Sequence, residues 1–396
     1  MSENDNQVPN ALVRVGDRTL AVRSATLIKR GLALAESLQP GDAEAHLNLG
    51  IALDDKGDLD GAIAECLRPD YAESYDNLGN ALYDKGDLDG AIAEYYRTAV
   101  RLHPGDAYAY NDLGGALYDK GDLDGAIAEY RNAIRLEPDY TWAHYNLGVA
   151  LKGKGDLDAA IAAYRTAIHF KPDYWKAHVR LGVALYQEDD LDGAIAEYRT
   201  AIRLEPYDAL AHYVLGVALY NKGDLDGAIA EYRAAIRLQP DYAAAHCNLG
   251  LALHDKGNLD GAIAEFRTAI RLQPDDAGYH EDLCLALLEK DDLDGAITEM
   301  HRIIRLKPDD AGWHDTLGYV LTDKGDLDGA IAEIRTALRL EPDYSAAHYS
   351  LGIALEMKGD RLGALDEIEK ARKLDPNDSL IAEAYERIRR KAGKHG

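Results

Sequence analysis

The chain has 396 residues, 47% of them hydrophobic and 29% charged, with 44 Lys and Arg against 70 Asp and Glu for a formal charge of −26. Such an excess of negative charge repels a phosphate backbone or an anionic leaflet, so neither nucleic acid nor a membrane is expected as a partner. Three cysteines (Cys66, Cys247, Cys284) without a C-x-x-C pair, no long apolar run and a polar start (MSENDNQVPN) predict a cytoplasmic protein free of disulfides, membrane spans and export signals.

Residues 10–23 alternate apolar and polar side chains around Gly16-Asp17, which predicts a short hairpin, and Ser24 then caps a helix running to about Leu38. Beyond it the prolines mark a period. They fall at 40, 69, 104, 138, 172, 206, 240, 274, 308, 342 and 376, and from Pro104 onward every interval is 34 residues. A fixed period of this size predicts a solenoid, in which each unit buries its apolar face only against its neighbours.

Each unit reads close to A-x-A-H-Y-x-L-G-V-A-L-Y-x-K-G-D-L-D-G-A-I-A-E-Y-R-x-A-I-R-L-x-P-D-Y, with helical apolar spacing in both halves, so two helices per unit are expected. Between them stands a glycine such as Gly121, Gly155 or Gly223, where a helix end favours the left-handed conformation. Asp189 and Asp291 replace it in two units, and aspartate tolerates that conformation better than most residues. The next residue (Asp122, Asp156, Asp190, Asp224, Asn258, Asp292, Asp326 or Asp360) is placed to cap the second helix, and a further Asp two positions on (Asp124, Asp226) meets its positive dipole end. The proline stops that second helix.

Two stretches break the pattern. Between Pro40 and Pro69 the interval is only 29, because about five residues of a second helix are missing before Cys66-Leu67-Arg68-Pro69, and the next unit gains one residue at Tyr95-Tyr96. A second helix shortened by more than a turn has less surface to bury, which makes this the expected weak joint. Residues 379–396 read as an amphipathic capping helix with a basic tail.

Nothing here resembles an active site. Eight histidines (His46, His144, His178, His212, His246, His280, His314, His348) share one column of the repeat, which should space them roughly 10 Å apart, while the ligands of one zinc ion must each approach to about 2 Å. His280-Glu281-x-x-Cys284 lacks the final histidine of a zinc-protease helix, and no phosphate-binding or nucleophile motif occurs. Paired acids such as Asp58 and Asp60 recur in nearly every repeat as solvated caps, whereas a glycosidase needs one unique pair. No catalytic residue, metal or cofactor is therefore expected.

The repeat resembles the tetratricopeptide repeat, whose pattern is W-x2-L-G-x2-Y, A-x3-F, A and P over 34 residues. Repeat 4 shows His144, Leu147, Gly148, Leu151, Ala160, Tyr164, Ala167 and Pro172 in those columns, and ten units can be followed from Ala43 to Asp378, about 85% of the chain. His or Tyr stands where the family often has Trp, and repeat 8 departs with Cys284 at the glycine column and Ile303 at an alanine column. The expected organisation is residues 1–42 as an N-terminal hairpin and degenerate half-repeat, 43–378 as ten repeats with the first one shortened, and 379–396 as the cap.

The resemblance implies an all-α fold, a right-handed α-solenoid superhelix of stacked helix-turn-helix units whose first helices line a concave groove. It also implies a non-enzymatic scaffold that binds a segment of another protein there. Columns that recur in every unit serve the stack, while columns that vary are free to meet a ligand. Counting Thr141 as the first column of repeat 4, the second, fifth, sixth, ninth, twelfth and thirteenth columns are the candidates. In repeats 4 to 6 they hold Trp142, Tyr145, Asn146, Lys176, Val179, Arg180, Val183, Tyr186, Tyr213, Val217 and Tyr220, an aromatic, apolar and locally basic set. On either side the columns turn acidic, with Asp112 and Asp119 before and Asp255, Glu281, Asp282, Glu289, Asp315 and Asp323 after. The expected partner thus carries apolar or aromatic anchors with basic flanks.

Two devices of the family match in part. Asn146, Lys176 and Arg180 fit three places of the clamp that grips a C-terminal carboxylate, but Asn111 and Gly115 stand at the other two. Asn48, Asn77, Asn146 and Asn248 fit the backbone-binding asparagine ladder of O-linked N-acetylglucosamine transferase superhelices, which Asp112, Arg180, Val214, Asp282, Thr316 and Ser350 interrupt. A different class of function, end-to-end self-assembly of near-identical repeats, is the alternative reading.

Overall fold

The computed structural model describes residues 11–15, 18–22 and 96–392. The helix after Ser24 and the shortened unit ahead of Pro69 lie outside the described residues. Strands β1 (Ala11–Val15) and β2 (Arg18–Val22) pair antiparallel, with Ala11 opposite Val22 and Val15 opposite Arg18.

From Arg97 the described chain is helical. The chain divides into two compact units, Met1–Pro206 and Tyr207–Gly396. The first unit contains α1 (Arg97–Leu102), α2 (Ala107–Asp119), α3 (Leu123–Leu136), α4 (Thr141–Gly153), α5 (Leu157–Phe170), α6 (Trp175–Gln187) and α7 (Leu191–Leu204). The second contains α8 (Ala209–Asn221), α9 (Leu225–Leu238), α10 (Ala243–Asp255), α11 (Leu259–Leu272), α12 (Ala277–Glu289), α13 (Leu293–Leu306), α14 (Ala311–Asp323), α15 (Leu327–Leu340), α16 (Ser345–Lys358), α17 (Arg361–Leu374) and α18 (Ser379–Ala392). Within each unit consecutive helices pack against one another, and most first helices also touch the next first helix, as in a tetratricopeptide solenoid.

The junctions follow the sequence. Gly121, Gly155 and Gly223 adopt φ of 86°, 87° and 84°, and Asp189 and Asp291 hold the same left-handed turn at 63°. Each cap residue then accepts a backbone N–H three residues on, as Asp122 does from Gly125 at 2.9 Å and Asp360 from Gly363 at 2.9 Å. First helices start in one of two ways. Asp106, Asp208, Asp276 and Asp310 cap them with a side-chain carboxylate, whereas Tyr140, Tyr174, Tyr242 and Tyr344 make no such bond. Tyr174 packs its ring instead, with centroids 4.9 Å from Trp142 and 5.1 Å from Tyr145.

The constant columns are the core. Ala126, Ala160, Ala194, Ala228, Ala262, Ala296, Ala330 and Ala364 are all fully buried, because a larger side chain there would push the paired helices apart. The glycine column allows an equally close approach: a Cβ on Gly182 would lie 2.5 Å from the Tyr198 ring. Repeat 8 keeps this packing despite its departures. Cys284 fills the glycine position, the unbranched Met300 replaces the ring opposite, and both are fully buried with Ile303. At the end of the second unit α18 buries Ile381, Ala384 and Ile388, while Arg387 and Lys391 each reach Glu356 at 2.8 Å.

Candidate protein-interaction face

Three regular sets of side-chain bonds join the helices, and they use up much of the recurring chemistry. The first is the histidine column. In α6 the Nδ1 of His178 lies 2.6 Å from Glu197 of α7, and its Nε2 lies 3.0 Å from the Pro172 carbonyl. His246 and Glu265, His280 and Glu299, and His348 and Glu367 repeat this at 2.6, 2.5 and 2.6 Å. With acceptors at both nitrogens the His178 ring donates twice, which requires its protonated form. Burial opposes the charge, but the Glu197 carboxylate and the Pro172 carbonyl outweigh it and hold the His178 pKa above the ordinary histidine value.

The second set pairs the lysine of one junction with the second aspartate of the preceding one. Lys154 meets Asp124, Lys256 meets Asp226, Lys290 meets Asp260, Lys324 meets Asp294 and Lys358 meets Asp328. These acids therefore serve an inter-repeat ion pair as well as the helix dipole. In repeat 5 Glu188 stands at the lysine column.

The third set lies on the candidate face itself. A fifth-column residue bonds the sixth column of the next first helix, 35 residues on. In the first unit Asn146 Nδ2 donates to Asn111 Oδ1 at 3.0 Å and Arg180 Nε to Tyr145 Oη at 3.4 Å. In the second unit Asn248 Nδ2 donates to Tyr213 Oη at 3.1 Å and Cys247 Sγ to Asp282 at 3.1 Å. Twelfth and thirteenth columns pair likewise: Tyr220 Oη donates to Asp255 at 2.5 Å, and His254 Nε2 lies 2.6 Å from Glu289. Asn146 and Asn248, which fit a backbone-binding ladder, thus already spend one amide donor on the neighbouring repeat.

The first unit holds Trp142, Tyr145, Asn146, Lys176, Val179, Arg180, Val183 and Tyr186; the second holds Tyr213, Val217 and Tyr220. Trp142 is 46% exposed, Lys176 and Arg180 are exposed, and Tyr145, Asn146, Val183 and Tyr186 are half-buried. Val179 differs. It is 4% exposed and packs into the core, so it serves the stack and offers no surface to a ligand. Tyr213, Val217 and Tyr220 are half-buried on α8.

The electrostatics of the two units diverge. In the first, burial and then the neighbouring Arg180 charge hold Lys152 below the ordinary lysine value. In the second, burial raises the Asp282 pKa, with Glu281 and Asp276 adding to the rise. Burial likewise raises Asp315, which is 8% exposed and has no hydrogen bond to its Oδ1. The Cys247 thiol is driven far above the usual range by burial and by Asp282, which keeps it unreactive.

Sequence reasoning missed all three sets of bonds. A signal for the first existed: Glu recurs nineteen residues after each of His178, His212, His246, His280, His314 and His348, and only His144 faces Ala163 instead. Among the described residues no cluster of three or more His, Cys, Asp and Glu side chains is arranged to hold a metal ion, and no helix is long and apolar enough to cross a membrane.

Comparisons with known proteins agree with the repeat. A family model described as a TPR repeat matches residues 79–121, 114–155, 218–257, 250–291 and 318–359, and one described as a tetratricopeptide repeat matches 10–75 and 145–209. No curated protein matches the chain. Among solved structures, MamA is 29% identical with a TM-score of 0.39, over 41% of this chain and 94% of that one. YrrB, described as a TPR protein with an unusual peptide-binding site, is 26% identical with a TM-score of 0.42, over 50% and 99%. The pilF protein of Pseudomonas aeruginosa is 19% identical with a TM-score of 0.47, over 51% and 92%. With repeat matches spread over most of its length, the chain belongs to the tetratricopeptide repeat family of protein-interaction scaffolds.

Proposed function

We propose that the protein is a non-enzymatic adaptor that binds an extended or helical segment of another protein on the exposed faces of its first helices. The observation that carries this reading is the division of labour between columns. Recurring acids cap helices or pair with lysines, the recurring histidines tie first helix to second, and the alanines of the Ala126 column and glycines of the Gly148 column are buried. On the first helices what remains open to solvent is mainly the variable set, rich in aromatic rings that bury large area at low entropic cost. On α4 and α6 it offers Trp142, Tyr145, Val183 and Tyr186 with Lys176 and Arg180; on α8 it offers Tyr213, Val217 and Tyr220.

The partner segment carries apolar or aromatic anchors, and basic residues where the face turns acidic. Neither cofactor nor metal enters this reading. The buried free thiols of Cys247 and Cys284 suit the reducing cytoplasm. The polar outer side of α18, with Glu383, Glu386, Arg389 and Arg390 exposed or half-exposed, supports a capped terminus over end-to-end assembly. The test is affinity capture with wild type and with the triple variant Tyr145→Ala, Arg180→Glu, Tyr213→Ala. Loss of partners in the variant supports the reading, and recovery of the same partners overturns it.

A further inference from the structure

The joint between repeats 8 and 9 differs from its neighbours, and the sequence supplies the cause. Where a second helix meets the following first helix, two alanines share the core: Ala133 with Ala143 and Ala167 with Ala177 in the first unit, and Ala337 with Ala347 in the second. In the same columns α13 and α14 carry Ile303, which is fully buried, and Trp313. Two large side chains in place of two methyl groups hold the helices apart. Accordingly α13 packs less extensively on α14 than the other second helices of this unit do on the first helices that follow them. The first helices show the same step: α8 touches α10, α10 touches α12 and α14 touches α16, whereas α12 and α14 fall short of that contact.

The side-chain bonds between first helices break at the same place. Elsewhere in this unit fifth and sixth columns are tied by Tyr213 and Asn248, by Cys247 and Asp282 and by Asp315 and Ser350, and twelfth and thirteenth by Tyr220 and Asp255 and by His254 and Glu289. Between α12 and α14 those columns set Glu281 opposite Thr316 and Leu288 opposite Asp323. Glu281 turns instead to Lys307 at 2.5 Å, Thr316 donates to Gly312 of its own helix, and Leu288 has no donor to offer. Among the described residues no hydrogen bond or ion pair reaches the exposed carboxylate of Asp323. Two ninth-column side chains stand uncovered between these ends. Leu285 is 57% and Tyr319 63% exposed, while Val149, Val183, Val217, Leu251 and Ile353 in the same column are half-buried. Both helices are acidic, with Glu281, Asp282, Glu289, Asp315 and Asp323 and neither Lys nor Arg.

We propose that the opening between α12 and α14 takes a basic segment of a partner protein: one large apolar side chain enters against Leu285 and Tyr319, and a Lys or Arg on each side of it meets the acids at the two ends, Asp323 and Glu281. The slot rests on the segment-binding reading above and gives that reading a place and a charge pattern. Uncovered apolar surface selects the anchor, and negative charge with no cation on either helix selects its flanks. The fifth and thirteenth columns lie eight residues apart, about 12 Å along a helix. An extended segment spans that distance in about four residues, which sets one basic residue about two positions before the anchor and the other about two after it.

The test is selection of random decamers displayed on phage against the full-length protein, followed by affinity measurement with the synthetic peptides. The expected result is a shared large apolar residue with Lys or Arg on both sides. When the two basic residues are changed to glutamine one at a time, one of them should lose about fivefold in affinity for wild type and less than about twofold for the Asp323→Asn variant, the scale of an exposed ion pair. Tyr319→Ala, also at an exposed position, should weaken the same peptides about tenfold. Asp343→Asn, which removes an exposed acid from the loop before α16, should change affinity by less than about twofold. Selected peptides without flanking bases, a glutamine penalty that persists in Asp323→Asn, an unchanged affinity in Tyr319→Ala, or an equal loss in Asp343→Asn overturns the slot and leaves segment binding standing. A library that yields no binder at all overturns segment binding itself and the slot with it.

Discussion

The two units build the same 34-residue frame and finish its variable columns with different side chains. In the first, the rings of Tyr164 and Tyr174 pack against Tyr145, whose hydroxyl Arg180 bonds. In the second, Tyr213, Tyr232 and Tyr242 pack in the same register at 6.1 and 4.8 Å, and the neutral Asn248 takes the place of the arginine. Beyond them the second unit carries Asp255, Glu281, Asp282, Glu289 and Asp315, with His254 paired to Glu289 and Lys307 to Glu281. Packing fixes the frame because a 2.5 Å clearance against a ring admits only glycine, and Cys284 enters the column only where Met300 replaces that ring. The bonds that the variable columns make between repeats are met by different residue types (Asn with Asn, Arg with Tyr, Cys with Asp), so their charge is free to differ between regions.

The largest effect expected from breaking this asymmetry is on binding. Arg180→Glu reverses the charge beside the aromatic patch and should weaken a bound segment by about 1–2 kcal/mol, roughly tenfold. Asp255→Asn, on the exposed rim of the second unit, should cost less than tenfold and act mainly through the salt dependence of association. Isothermal titration with a selected peptide measures both. Equal losses would mean that the two faces do the same work.

Of similar size is the effect on the shared frame. Gly182→Ala in the first unit and Gly216→Ala in the second each set a methyl against a tyrosine ring, at 2.5 and 2.6 Å. Each should lower stability by about 1–3 kcal/mol and by similar amounts, read from urea midpoints. A loss confined to one unit would show that the frames differ.

A smaller effect is pH-dependent. Because the His178 pKa is raised in the folded protein, its contribution is complete below the unfolded value of about 6.5 and is lost as pH rises through the folded value. The Glu197→Gln variant should therefore lose on the order of 1–2 kcal/mol relative to wild type near pH 5.5, and the gap should narrow toward pH 8.5. Thermal midpoints across that range check it, and a gap that widens with pH would contradict it. Smallest of all, removing the exposed Lys154–Asp124 pair by Lys154→Ala should change stability by less than about 0.5 kcal/mol.

Much of the fold was legible because its causes are local. Glycine at a left-handed turn, aspartate at a cap and proline at a helix end each act within a few residues, so the recurrence of Gly121, Asp122 and Pro138 sets the helix boundaries directly. The face was legible only in composition. Val179 occupies the same column as Tyr145 and Tyr213, yet a short β-branched side chain sinks into the core where a tyrosine reaches the surface. The bonds 35 residues apart depend on the stagger between neighbouring first helices, a quantity that no single repeat encodes. The unpaired hydroxyls of Tyr164 and Tyr174 are legible only from the packing around them.

The central claim is that variable columns of the first helices, and not the second helices, meet the partner. Site-specific photocrosslinking tests it most directly, with benzoylphenylalanine placed at Tyr186 and Tyr220 on first helices and at the exposed Arg165 and Arg233 on second helices. The account predicts partner adducts from Tyr186 and Tyr220 and none above background from Arg165 and Arg233. Adducts of equal yield from the second-helix positions, or from those alone, would contradict it.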